Sequence, residues 1–238
     1  MANLLVEIGN TALKAAWADG ITLGKTFRYQ GEKNLEFIES LTRKQKAEIM
    51  VVASSGVVSE AEEAVLRDGC HKLLLLDRAH PETLKENDFP SYLSYDRAAS
   101  LAACKYLFRG RGVTLIDFGT TISIDFLSES GTYEGGNLSV GCRTRFKALN
   151  RYSRSLPLVN TPETVDEMGT SIVSSIEAGV ISGIEFEMRG YLEKYPDNIL
   201  VFTGGDANYF AKRMKSSIFV VCNLVLMGLA IIAERHAV

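Results

Sequence analysis

A chain of 238 residues that is 46% hydrophobic, 23% charged and 9% aromatic has the composition of an ordinary globular protein, long enough for one large domain or two small ones. Disordered chains, collagen-like repeats and coiled-coil rods are excluded. A formal net charge of −3 and a pI near 5.7 give no general attraction to nucleic acid or to an anionic membrane, so neither is an expected partner.

The opening MANLLVEIGN lacks a basic segment, a long apolar core and a small-residue cleavage site, so no export signal is expected. From Leu4, LLVEIGNTALKAAW reads as an apolar strand, an acid, a Gly-containing turn and a second, alternating strand. A third strand comes at 21–30, behind Asp19 and Gly20. Next come a predicted helix at 34–45, a strand at 48–53, a helix at 60–68, a strand at 72–77 and a helix at 96–109. At Thr114 the opening pattern returns: TLIDFGTTISIDF again runs strand, acid, Gly turn, strand, and 132–140 supplies the third strand. Helices are predicted at 141–152 and 170–195, a strand at 199–202, a helix at 207–215, a strand at 218–221 and a helix at 224–236. The apolar run 218–232 contains Asn223 and Gly228 and falls short of the ~20 residues a membrane span needs. Two meander-plus-α/β halves predict an α/β protein of two similar lobes with mixed sheets, 1–110 and 111–238.

Cys70, Cys104, Cys142 and Cys222 are scattered without a CxxC pair, and His71, His80 and His236 form no ligand-spaced cluster with them. Buried free thiols in a reducing cytoplasm are the expectation, rather than structural zinc. GITLGKT has one residue too few between its glycines for a phosphate loop and leads into a strand. RGRGVTL precedes a strand instead of coming after one, so it is no dinucleotide fingerprint.

The chemistry is expected at the two acid-x-Gly-x-Thr turns. A Gly at a tight turn admits a ligand to the backbone, Asn or Thr adds side-chain donors, and a carboxylate at the strand end suits a cation. Lys14, three residues after Thr11, is placed to reach the same phosphates. A third Gly-rich turn, FTGGDA, stands between a strand and a helix, where either a plain loop or a nucleotide contact fits. Asp96 and Arg97 open a long helix, where Asp96 is either a helix cap or a base beside a substrate hydroxyl. Arg143 and Arg145 open another helix against its dipole, so an anion or another chain's acid is expected there.

Together these segments resemble the type III pantothenate kinases of the acetate kinase, sugar kinase, Hsp70 and actin superfamily. EIGNTALK (7–14) is similar to the family's D-x-G-N-T-x-x-K, DFGTTISID (117–125) to D-x-G-T-x-x-[ST]-x-D, and SYDR (94–97) to G-x-D-R. GGNLSVG (135–141) is similar to G-G-x-I-x-P-G, and 203–205 to T-G-G. The resemblance implies RNase H-like lobes with an ATP cleft between them. It also implies transfer of the ATP γ-phosphoryl group to the 4′-hydroxyl of pantothenate, the first step of coenzyme A synthesis. Asp96 would be the base. Glu7, Ile8, Gly9, Asn10, Thr11, Ala12, Leu13, Lys14, Thr120, Gly204 and Gly205 would contact ATP, and Asn87, Ser94, Tyr95, Arg97 and Ile172 pantothenate. Asp117 would hold potassium or ammonium, and Glu7 the Mg²⁺ that accompanies ATP. A homodimer is implied, giving Arg143 and Arg145 partners. Glu7 replaces the usual Asp, Ser94 a Gly, Val140 a Pro, Asn87 a Tyr and Ile172 a Thr. Substituted pocket positions favour, as an alternative, another small-molecule kinase of the superfamily. A second alternative is a non-catalytic nucleotide-binding regulator, against which Asp96, Lys14, Asp117 and the acidic net charge argue.

Overall fold

The structure is a computed structural model describing residues 2–9 and 11–237. β1 (Ala2–Ile8) carries Leu4, Leu5 and Val6 with no exposed surface, as expected of a strand covered on both faces. It runs antiparallel to β2 (Leu13–Asp19), which pairs with β3 (Thr22–Tyr29), and parallel to β4 (Ala47–Ser54), which pairs with β5 (Cys70–Leu76). The sheet order is β3-β2-β1-β4-β5. Helices α1 (Asn34–Thr42) and α2 (Glu60–Asp68) put Ile38 and Leu66 against Leu4, Val6, Leu13 and Ala15. Ser59 and Glu62 start α2 with a capping box. Then come α3 (Glu82–Glu86) and α4 (Tyr95–Leu107). The five residues of α3 are too few to show a helical period, and the sequence pattern misses them.

The second sheet repeats the first. β6 (Val113–Phe118) and β7 (Thr121–Leu127) form an antiparallel pair, β8 (Tyr133–Val140) extends it, and β9 (Ile199–Gly204) and β10 (Ile218–Val220) add in parallel on the other side of β6. The order β10-β9-β6-β7-β8 is that of the first sheet read from its other edge. Each is the mixed sheet of an RNase H-like unit. Helices α5 (Cys142–Tyr152), α6 (Ile172–Lys194) and α7 (Ala207–Ala211) cover one face, with Phe118, Phe146, Phe202, Phe210 and Ile184 at the centre of the core. Phe118 stacks on Phe210 and meets Phe202 edge-on.

The last helix, α8 (Leu224–Arg235), departs from the expected division at residue 110. The chain divides into one unit drawing on residues up to Leu107 and from Asn223 onward, and a second unit, Phe108–Cys222. The reason is apolar surface. α8 buries nine of its residues, including Leu226, Leu229 and Ile232, and it lies across β1 to β4 and along α4, completing the first unit. Gly228 lets the helices meet, because a Cβ there would overlap the Ala99 carbonyl. Three cysteines are buried free thiols; Cys222, expected to be buried, is exposed. Among the described residues no helix is long and apolar enough to cross a membrane.

Candidate functional site

In the first unit, the expected residues gather where the parallel strands end and α4 begins. The 9–12 turn is closed by the Gly9 N–H donating to the Ala12 carbonyl at 3.1 Å. A Cβ on Gly9 would crowd that same carbonyl at 3.3 Å, so the turn favours glycine. Gly9 and Thr11 are exposed and Ala12 half-buried. Leu13 is a core residue, 1% exposed, so only its backbone can serve a ligand. The Ile8 carbonyl accepts from the N–H and hydroxyl of Ser55, at 3.1 and 3.2 Å. Asn10 lies outside the described residues.

Glu7 and Lys14 face each other across the β1–β2 ladder, and the ammonium meets the carboxylate at 3.2 Å. Burial pushes the Glu7 carboxyl up. Lys14 opposes this by charge and hydrogen bond, and the nearby Asp96 charge adds to the rise. The Asp96 carboxylate, at the start of α4, is thus near enough to Glu7 for the two charges to act on each other. Asp96 is the second residue of α4, not its cap. Exposed, it accepts a hydrogen bond from the Arg97 N–H at 2.9 Å, and Ser94 stands exposed just before the helix. Arg97 is half-buried and Tyr95 is buried, 8% exposed. Asp77, where β5 ends, has no exposed surface and accepts from the N–H groups of Val58, Ala79 and His80 and from the His80 ring. It ties two loops to this end of the sheet.

Asn87 departs from expectation. It is 2% exposed, its Nδ2 donates to the Thr83 carbonyl at 2.8 Å, and its Oδ1 accepts from Arg235 at 2.6 Å. An amide folded inward and bonded on both sides presents nothing outward.

The second unit gathers its own set. Asp117 is half-buried where β6 ends, opposite Ser123 of β7 and Thr203 of β9. The Gly119–Thr120 turn is held from outside the hairpin: the Thr120 carbonyl accepts from the Gly141 N–H at 3.1 Å and the Thr144 hydroxyl at 2.9 Å. A Cβ on Gly141 would overlap the Gly119 carbonyl. Gly204, at φ +91°, packs so tightly on Asp117 and Phe118 that a Cβ there would strike both. Gly204, Gly205 and Thr120 are exposed, so β6 and β9 end, and α5 begins, at a glycine-lined, backbone-rich surface. Ile172 opens α6 and is 60% exposed.

Arg145 corrects a second expectation. Its guanidinium bonds the Val140 carbonyl at 2.8 Å and the Ser139 hydroxyl at 2.9 Å, and pairs with Glu187 of α6. The acid opposing it belongs to the same chain. Arg143 is exposed. Sequence reasoning passed over Ser54 and Ser55, beside the 9–12 turn. Their signal was the SSG at the end of a parallel strand, since ligands gather outside the carboxyl ends of such strands.

Comparison with known proteins decides between the readings. The family model described as type III pantothenate kinase matches residues 3–194. The chain belongs to the type III pantothenate kinase family. The type III pantothenate kinase of Bacteroides fragilis is 35% identical over 232 residues, covering 95% of each chain. Among solved structures, a Baf family transcriptional activator from Campylobacter jejuni is 23% identical at a TM-score of 0.67, and a ROK hexokinase from Thermus thermophilus 11% identical at 0.55. Each of these two alignments covers 98% of both chains. At such identities the structures speak for the fold alone.

A kinase acts on a nucleoside triphosphate with a divalent metal. Glu7, now paired with Lys14, and the nearby Asp96 are the carboxylates that could hold it.

Proposed function

We propose that this chain transfers the γ-phosphoryl group of ATP to the 4′-hydroxyl of pantothenate, with Asp96 as the base. The observation that carries the reading is the nearness of Asp96, on the first turn of α4, to Glu7, whose carboxyl feels its charge while pairing with Lys14. A proton acceptor thus stands beside a turn suited to triphosphate. Asp96 takes the hydroxyl proton as that oxygen attacks the γ-phosphorus, and the bond to the departing ADP oxygen breaks.

The backbone of Ile8, Gly9 and Thr11 to Leu13, together with Lys14, holds phosphate oxygens, Lys14 moving from Glu7 to the nucleotide; Asn10 is proposed with them from the sequence alone. On the second unit, Thr120, Gly204 and Gly205 are proposed as nucleotide contacts. Arg97 pairs with the pantothenate carboxylate, with Ser94 and the Tyr95 backbone next to it at the start of α4; Ile172 is proposed separately as an apolar contact of the substrate. Glu7 would hold Mg²⁺ and Asp117 potassium or ammonium, which would neutralise charge building on the phosphates. Membership of the type III pantothenate kinase family supports the reaction and both substrates. We also propose a cytoplasmic homodimer. The exposed Leu138, Val140, Leu149, Tyr152 and Phe186 of β8, α5 and α6 support such an interface.

The test is an assay of ATP-dependent pantothenate phosphorylation with potassium, sodium or neither. The reading expects product, and more of it with potassium. No product under any condition, with the protein folded and ATP bound, overturns it.

A further inference from the structure

We propose that the final turn of α8 positions the loop leading into Asp96, by clasping Asn87 through Arg235; the inference rests on the roles given above to Asp96 and its neighbours. Asn87 ends α3, and its buried amide is the point where the clasp closes. Arg235 Nη1 donates to its Oδ1 at 2.6 Å across 148 residues of sequence. Two further contacts fasten the same turn. His236 Nε2 lies 3.4 Å from a Glu86 carboxylate oxygen, and Lys72 Nζ donates to the His236 carbonyl at 2.9 Å.

The placement of Asn87 matters because of the residues just beyond it. Asp88 takes a left-handed φ of 62°, reversing the chain, and the Phe89 N–H returns to the Leu84 carbonyl at 2.9 Å. Phe89 and Leu93 are the apolar anchors of the loop from there to Ser94, at 5% and 2% exposure, while Ser91 and Tyr92 are exposed. Asn87 therefore fixes the root of a lightly held loop that delivers Ser94 to pantothenate beside Tyr95 and Arg97 of α4. Asp96 itself sits on a helix whose Ala98–Cys104 stretch is buried, so the base keeps its place when the root loosens. Where the family pattern presents a hydroxyl at this position, this chain presents a strut.

Arg235→Ala should raise the KM for pantothenate by roughly tenfold, the scale of one lost charged hydrogen bond, and leave kcat and the KM for ATP within about twofold. Hydrogen exchange of the 88–94 amides should accelerate in the same variant, while α4 amides stay protected. Arg235→Lys, which keeps a donor, should return both readouts most of the way. An Arg235→Ala protein with unchanged pantothenate KM and unchanged exchange at 88–94 overturns the clasp, as does an equal rise in both KM values. If the unmodified protein phosphorylates no pantothenate, the functional reading fails instead, and exchange at 88–94 still decides the clasp.

Discussion

Asp96 shows how one residue joins local structure to chemistry. A carboxylate in the first turn of a helix lies at the favourable end of the helix dipole, and the Arg97 N–H adds a hydrogen bond that orients it. Asp96→Asn should fold normally and bind ATP, with turnover lower by roughly 10²–10⁴-fold, the usual contribution of a general base. Single-turnover rates in the two proteins measure this, and near-equal rates would remove Asp96 from the chemistry. Asp77 makes a different prediction, about stability. Burial would raise its carboxyl, yet the donors from Val58, His80 and Ala79 outweigh that and hold it below the ordinary aspartate range. As pH falls, the unfolded chain takes up this proton first. The stabilisation is therefore present above about pH 4 and fades as pH drops toward the native value. Asp77→Asn should cost about 1–3 kcal/mol at pH 7, and the gap to the unmodified protein should narrow at pH 3 in denaturant titrations. A gap of constant size would assign the loss to packing rather than charge.

Elements carry the site by touching at glycines. The Gly119–Thr120 turn is set by α5, whose first turn seats on its carbonyls and leaves no room for a side chain at Gly141. Gly141→Ala should push that turn away and lower kcat/KM for ATP by roughly 10²-fold, the effect of a displacement near 1 Å at a reacting group. The KM for pantothenate serves as the control. Both acid-Gly-Thr turns were legible in the sequence because hairpin chemistry is local: a strand, a Gly and an alternating strand lie within about fifteen residues. The clamp from Gly141 was not, since it joins segments far apart in the chain. Arg145 failed in the same way. Its position against the helix dipole flagged an acid, but only folding could show that the acid was Glu187 of the same chain. Asn87 was singled out by its place in a motif, and burial, which no motif records, turned its amide inward.

At the scale of the molecule, the repeat visible in the sequence is a repeat of topology, two sheets with the same strand order. The alternation of strand and helix made that much readable. The ownership of α8 was not readable, because a helix apolar on nearly every side fits any open sheet face, and only three-dimensional packing chooses. A chain cut after Cys222 should leave the first sheet bare along β1 to β4 and lose near-native circular dichroism from that unit. The 108–222 unit should keep protected amides in hydrogen exchange. Protection throughout the first unit of the shortened chain would show that α8 is dispensable.

The placement of α8 also orders events in time. Residues up to Leu107 leave the ribosome without the helix that covers their sheet, and they wait while the whole second unit, Phe108–Cys222, is synthesised. The second unit is continuous in sequence and holds its own core, so it is free to fold first. The first unit, though made earlier, matures last. During that interval its uncovered apolar strands are the part of the nascent chain most in need of a chaperone.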